Sequence, residues 1–377
     1  MSNLDSFQKL SAGRFAKMDQ KLRFLIVSLP IDQHATIAAF QLSKVGHDVQ
    51  FWSPADLPKR TTASIRLGEE VQVSLAGKRQ EHAEVVLFRK WSGPVLPDDL
   101  HPADRDIANR EFEHFGIGIL DSLLPSAKWI NHPRASREAN KVKQLMVAQS
   151  VGFNVPRTCI SNDPQDIRAF VEKADYKVVF KAFTPAIWED LSERQFVTMT
   201  SRPDKELMLD DASLSYSPAI WQEEIKKAFE LRITMFGEVA VTVKIDSQAT
   251  DGGKVDWGAA GHDIPVNDHR LDVATYNCCR RLMQSLGLAF GSIDAIVDQS
   301  GKIWFLEVNP SAQFLWIEDI NPEIDLLGPY LHMLAGHELG TATPRLSEVL
   351  ADKEYLSFES ALRETHEEAI SSFKSYE

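Results

Sequence analysis

Short apolar runs alternate along this chain with stretches of helical period. Leu22 to Leu29 is an almost unbroken apolar run and reads as a buried strand. Asp32 to Val45 repeats its apolar positions at helical spacing and is closed by Gly46, and Asp48 to Trp52 is the next strand, so the chain opens on a βαβ unit. Residues 65–75 and 84–88 add strands with turns at Gly68 and Gly77, and Ala103 to Phe115 is helical. Leu29-Pro-Ile-Asp32 occupies the turn between first strand and helix, where a dinucleotide site needs G-x-G-x-x-G, so no NAD site is expected. Arg89-Lys90-Trp91 ends a strand and has two readings: an exposed strand end, or a substrate-facing group.

Further on, a helix follows Trp129-Ile-Asn-His-Pro133, with Ser136 as its cap. Its apolar positions are Ala139, Val142, Leu145 and Met146, and Gly152 and Pro156 stop it. Tyr176 to Ala182 is a strand that carries Lys181 among apolar neighbours; such a lysine either snorkels from an edge or meets an anion such as phosphate. Ala219 to Ile225 and Glu230 to Thr234 are strands, as is Glu238 to Asp246 after a turn at Gly237. Glu230 and Arg232, two apart on a strand, share a face and are able to pair. Asp268 to Leu286 reads as a helix ending at Gly287, Pro322 to His337 as another, and Tyr355 to Tyr376 as an acidic helical tail of docking or dimer type.

The most informative stretch is Gly291 to Glu318. Residues 292–297 and 302–308 are β-rich runs joined by the polar turn Asp298-Gln-Ser-Gly301, which makes an antiparallel hairpin. Strict alternation puts Ile303, Phe305, Glu307 and Asn309 on one face and Trp304, Leu306 and Val308 on the other, with Asp294 across from Phe305 or Glu307. Three oxygen donors then converge where an unpaired carboxylate is costly, and Asp, Glu and Asn are ligands that magnesium accepts. The plainer alternative is acids that face solvent or pair with arginines.

Composition narrows the class. The 377 residues are 44% hydrophobic and 25% charged, the profile of a globular protein of two or three domains. No run has the length and apolarity of a membrane span, and Met1 to Gln20 lacks a signal-peptide core, so a cytoplasmic protein without membrane contact is expected. Three cysteines, with Cys278 and Cys279 adjacent, suit neither a disulfide framework nor a zinc site and read as packing residues. A formal charge of −13 argues against nucleic acid as partner and requires any polyanion to be held by local cations.

Two stretches resemble a known family. The I-D…F-L-E-V-N-P pattern through Asp294, Glu307 and Asn309 resembles the end of an ATP-grasp ligase domain, and Gln313-Phe-Leu-Trp-Ile-Glu318 resembles its graspetide branch, the microviridin-type ribosomal peptide maturases. N-H-P…A-N-K…V-P-R-T…S-N-D-P, from Asn131 onward, is similar to the entry of the same domain. The resemblance implies an α/β (α+β) ATP-grasp fold behind an N-terminal βαβ pre-ATP-grasp domain. It divides the chain into residues 1–128, with about 1–20 a flexible arm, then 129–218 and 219–340 as the two ATP-grasp subdomains, and 341–377 as a helical tail. It implies ATP and Mg2+ as cofactors. Lys141 would contact the phosphates and Lys181 the α-phosphate and adenine side, while the backbone of the hinge strand, at Glu223, Glu224 and Ile225, would read adenine. Glu230 would hold the ribose hydroxyls, Arg232 would lie near the transferred phosphate, and Asp294, Glu307 and Asn309 would bind magnesium. Arg232, Lys141 and Glu307 then carry the catalysis.

By the same resemblance the partner is a ribosomal precursor peptide, leader plus acidic core. Its Asp or Glu side chains become acyl phosphates and then esters or amides. The acidic tail, of docking or dimer type, makes a homodimer the expected assembly. The hairpin around Ile65 to Leu75 and the helix after Asp268 are the expected places for leader recognition. Thr184 to Gln195 lacks the glycine-rich loop of many ATP-grasp enzymes. Ser247-Gln248 and Asp256-Trp257 match the S-Q…D-W-R pattern, but Gly258 stands for the arginine and Ala312 for a usual glycine. Either substrate handling differs, then, or Arg270 or Lys254 takes the arginine's place. Two rival readings stand beside this one: an ATP-grasp ligase that adds an amino acid to a small molecule or protein C-terminus, and a nucleotide-binding scaffold without catalysis.

Overall fold

The computed structural model describes residues 21–365 and 367, apart from positions 59, 92, 98, 185, 186, 190–194, 250–263 and 337–342. The expected N-terminal arm, the Lys254 to Gly258 segment and the chain end lie outside the described residues.

The βαβ unit is present. β1 (Arg23–Val27), α1 (Gln33–Lys44) and β2 (Asp48–Trp52) begin a parallel sheet that β6 (Val85–Phe88) and β7 (Lys128–Ile130) extend, in the order β2-β1-β6-β7. Alternation along β1 sends Phe24 and Ile26 into one hydrophobic core and Leu25 and Val27 into another, which is why this strand reads as continuously apolar. A small antiparallel sheet of β3 (Ala63–Arg66), β4 (Gln72–Leu75) and β5 (Lys78–Arg79) packs with α2 (Pro102–Ser122) on the second of these cores. α2 runs well past Phe115. Gly116 lies inside it against Trp91, where an added Cβ would come within 2.0 Å of the indole, so this glycine allows close packing and does not end the helix.

The helix expected after Pro133 is two helices. α3 (Pro133–Glu138) starts at His132, and α4 (Lys141–Val151) starts at Asn140, whose side chain accepts the Lys143 N–H at 3.1 Å; Ser136 sits inside α3 and caps nothing. β8 (Thr158–Ser161), β9 (Val178–Lys181) and β12 (Ala219–Glu223) form an antiparallel sheet in the order β8-β12-β9, packed on α5 (Pro164–Lys173). β10 (Ile187–Glu189) and β11 (Gln195–Val197) pair as a hairpin, and α6 (Lys205–Leu209) and α7 (Asp211–Tyr216) follow.

The largest sheet is antiparallel, ordered β15-β14-β13-β16-β17, from β13 (Lys227–Phe236), β14 (Val239–Ile245), β15 (Val266–Asp268), β16 (Phe290–Asp298) and β17 (Ile303–Asn309). On one face Leu231, Ile233 and Met235 meet α4 and α8 (Val273–Leu286), with Cys279 buried among them. α8 begins later than expected, because Asp272 caps it through the Thr275 N–H and residues 266–268 are committed to β15. All three cysteines are free.

Past β17 comes α9 (Leu315–Ile320), and α10 (Leu327–Ala335) starts later than the Pro322 expected for the helix to His337; α11 (Leu346–Leu350) and α12 (Lys353–Thr365) follow. The cause is Glu318, only 2% exposed. One of its oxygens accepts the N–H groups of Leu326 and Leu327 and the other that of Leu346, so it caps α10 and α11 together. The tail packs inward: Tyr355, Phe358 and Leu362 join the core around α1, and Lys44 pairs with Asp352 at 2.5 Å. Those apolar side chains are therefore not what would face a second chain.

Candidate functional site

β13 organises the site. Its odd-numbered residues from Leu231 to Met235 are core, while Glu230, Arg232 and Thr234 occupy the opposite face. A strand so divided holds charged groups rigidly, because the apolar face fixes its register. Arg232 lies opposite Asp294 of β16, and its Nη1 donates to both Asp294 oxygens at 2.9 and 3.1 Å; its Nη2 donates to the Gln313 carbonyl at 2.9 Å. Asp294 in turn faces Glu307 of β17.

That last pairing depends on a bulge. The register shifts between Asp294 and Ala295, so that Ala295 pairs with Phe305 and Leu306 is the extra residue. Strict alternation therefore fails. Phe305 and Val308 both enter the core, whereas Glu307 shares its side of the sheet with Leu306, and both line a cavity of about 200 Å3.

The same cavity is lined by Lys141, Lys181, Glu223, Glu224, Ile225, Glu230 and Asp294, residues drawn from α4, β9, the end of β12, β13 and β16. Lys141 Nζ sits 3.2 Å from Glu307 and donates to the Ala182 carbonyl at 3.2 Å, so it ties the end of β9 to β17. At the other end Glu223 and Glu224 turn their carboxylates to Arg157 and Arg202, in two-pronged contacts of 2.9 and 3.1 Å and of 2.8 and 2.6 Å. What this hinge strand offers the cavity is backbone and Ile225. Two expected residues are not in the lining. Arg232 stands behind Asp294, and Asn309 is exposed at the end of β17, where its side-chain oxygen accepts the Ser311 N–H at 3.0 Å.

Sequence reasoning missed Lys227, which is 7% exposed, lines the cavity and pairs with Glu230 at 2.5 Å. The signal was its place three residues ahead of Glu230 in a chain that must supply local cations. It also missed Gln222, buried and donating to Thr158 Oγ1 at 3.1 Å, which nothing in the strand pattern singles out.

Electrostatics set the two ends apart. Burial, joined by the charges of Glu307 and Glu230, pushes the Asp294 carboxyl up to about 6, against the pull of Arg232. Two opposed carboxylates of which one is buried form a donor set that a hard cation would stabilise. Among the described residues no three His, Cys, Asp or Glu side chains converge closely enough to enclose an ion alone. Magnesium, which keeps waters and phosphate oxygens in its remaining positions, suits that partial set.

This arrangement of sheets and cavity is the ATP-grasp fold, preceded by a βαβ unit. The RiPP-associated ATP-grasp ligase of Chryseobacterium gregarium, solved in complex with ADP and a leader and core peptide, matches with a TM-score of 0.75 and 23% identity over 86% of this chain and 98% of that one. Macrocyclase MdnC from Microcystis aeruginosa MRC, bound with precursor peptide MdnA, matches with a TM-score of 0.73 and 24% identity over 83% of this chain and 99% of that one. The ATP-grasp ligase PsnB, complexed with precursor peptide PsnA2 and AMPPNP, gives a TM-score of 0.66 at 19% identity over 86% and 99%. No protein-family model matches the chain, and no curated protein matches it in sequence. Among the described residues no helix is long and apolar enough to cross a membrane.

Proposed function

We propose that the protein is an ATP-dependent ligase that joins Asp or Glu side chains of a ribosomal precursor peptide to hydroxyl or amine groups of the same peptide, with release of ADP and phosphate. The observation that carries this reading is the single cavity with a hinge strand at one end, opposed carboxylates at the other and three lysines between, in a chain of formal charge −13. Structures of the same fold that contain ADP, AMPPNP and precursor peptides support it.

In this reading residues 129–218 and 219–340 are the two halves that grip the nucleotide. Adenine lies against the Glu223 to Ile225 backbone and the ribose hydroxyls against Glu230, which Lys227 holds in place. Lys141 and Lys181 meet the phosphates. Asp294 and Glu307, with Asn309 two residues further along β17, would hold magnesium, which when bound neutralises the phosphate charge. Arg232, fixed between Asp294 and the Gln313 carbonyl, stabilises charge as the γ-phosphoryl group moves. A peptide carboxylate oxygen attacks the γ-phosphorus, the bond to the β–γ bridging oxygen breaks, and ADP leaves. A hydroxyl or amine then attacks the acyl carbon and gives up its proton, and the carbon–oxygen bond to phosphate breaks. The product is an ester or amide and the peptide has lost one water. Positioning and electrostatics suffice, so no covalent enzyme nucleophile is needed.

The test is mass spectrometry after incubation with ATP, magnesium and a short acidic peptide encoded beside the protein. Loss of one water per bond is expected. A mass gain would point to an amino-acid ligase and no change to a scaffold, and either result overturns the proposal.

A further inference from the structure

A second cavity, of about 280 Å3, lies between the first parallel sheet and the segment that follows β17. Its walls include Gln33, Lys90, Gln313, Trp316 and Asp319, and α11 closes one side with Leu346 and Leu350. Strand β6 delivers two cations to this junction, and their fates differ. Arg89 is 1% exposed and fully engaged: Nε donates to Asp32 at 3.1 Å and Nη1 to the Ala312 carbonyl at 3.2 Å. Lys90 is half-buried in the cavity wall, and among the described residues no carboxylate lies within ion-pair distance of it. Asp32, in the same wall, pairs with Arg89 and His34 and feels the Lys90 charge without ion-pairing to it, and Asp319 is exposed on the facing element without reaching Lys90.

The two cavities share a partition. Arg232 pairs with Asp294 on the nucleotide side and donates to the carbonyl of Gln313, a residue that lines the second cavity. A group held by Lys90 would therefore sit across Arg232 from the carboxylate end of the nucleotide site. We infer that this cavity is the acceptor site and that Lys90 is its specificity-determining residue, receiving a side-chain carboxylate of an acidic peptide. This rests on the ligase reading above. It explains how a strongly acidic chain takes an acidic peptide: one half-buried lysine with no carboxylate at ion-pair distance selects an anion where the wider surface repels it. Trp316 supplies an apolar wall for the methylene stem of Asp or Glu.

The test uses the full chain and a short blocked peptide of alternating Glu and Thr, with the Gln–Thr peptide, the Lys–Thr peptide and free glutamate as comparisons. Binding is followed by calorimetry and by the change in tryptophan fluorescence, a change that Trp316→Phe should remove while the other seven of the chain's eight tryptophans still emit. Saturable binding of the Glu–Thr peptide is expected, with about tenfold or greater weakening for the Gln–Thr peptide or in Lys90→Met. Lys90→Arg should retain binding, and Lys90→Glu should exchange the preference toward the Lys–Thr peptide. ADP with magnesium, titrated into the same samples, should bind Lys90→Met as it binds the parent. Equal binding of Glu and Gln peptides, an unaffected Lys90→Met, absence of saturable binding, or free glutamate binding as tightly as the peptide each overturns the assignment. A parent that does not bind ADP would overturn the nucleotide reading and with it the acceptor role, while peptide binding that follows the charge at residue 90 would still establish Lys90 as an anion-selecting site.

Discussion

Glu307 is where the chemistry and the local geometry are most tightly bound together. The Leu306 bulge turns its carboxylate toward Asp294 and Lys141. Glu307→Gln keeps the shape and removes the charge, so ATP turnover, measured as ADP release, should fall about 100-fold or more while the unfolding midpoint barely moves. Unchanged turnover would sink the ligase reading. Arg232 differs, because Arg232→Met leaves Asp294 buried beside Glu307 without its partner. That substitution should cost roughly 3–5 kcal/mol in denaturant unfolding as well as activity, whereas Asp294→Asn introduced with it should restore part of the stability. At this scale the sequence was informative wherever a residue's type is unusual for its surroundings: Lys181 in an apolar strand, or Asp294 and Glu307 on a hairpin. It was least informative for groups whose role depends on partners far along the chain. Arg89 reads as a strand end, yet its contacts are with Asp32 and with Ala312, 223 residues away. Ala312 itself, which departs from the pattern of the family that the chain resembles, is fully buried and offers its carbonyl to that arginine.

Among the elements, strands were easier to read than helix ends. Apolar runs mark β1, β9, β13 and β16 directly, since each buries at least part of a face. Helix starts follow caps instead, and Asn140 and Asp272 were hidden within patterns read as continuous helix. The bulge at Leu306 was invisible for a related reason: the apolar sequence from Ile303 to Val308 fits either register, and packing against α4 decides between them. Glu318 shows a motif residue with a structural task. It belongs to the family-like signature Gln313–Glu318, and its carboxylate serves the starts of α10 and α11. Glu318→Ala leaves three backbone N–H groups without their acceptor in a buried place, at a cost of roughly 3 kcal/mol or more. Glu318→Gln, which keeps one acceptor oxygen, should fall between. Urea midpoints for the three proteins check the order, and an Ala variant as stable as the parent would refute the capping role.

For the whole molecule, the joint between the first parallel sheet and the large antiparallel one is built around His34. Its Nε2 accepts the N–H groups of Phe314 and Leu315 at 3.0 and 3.3 Å, so the proton must sit on Nδ1, which faces Asp32 at 3.4 Å. Burial is the main cause that lowers His34 to about 4, reinforced by the nearby Arg89 charge and opposed by Asp32. The unfolded chain, with an ordinary histidine near 6.5, binds its proton first as pH falls. Stability from this group is therefore complete above about 6.5, is lost progressively as pH drops toward about 4, and levels off below that, a change on the order of 3 kcal/mol. Asp32, held well below the usual carboxylate range by Arg89 and His34 despite burial, loses its own contribution only at still lower pH, so the two effects separate. His34→Gln preserves an acceptor for the two backbone N–H groups and cannot titrate. Its stability should fall less than that of the parent between pH 7 and pH 4.5, with the difference traceable by denaturant midpoints across that window. Parallel pH profiles for the two proteins would show that the joint does not depend on a neutral His34. Because Gln313 and Phe314 belong to the loop that His34 holds, and Arg232 donates to the Gln313 carbonyl, protonation would also loosen the partition beside the cavity that Lys141, Asp294 and Glu307 line. Activity of the folded enzyme should accordingly hold until pH approaches about 4 in the parent, where His34 itself takes up a proton, and decline less steeply there in His34→Gln.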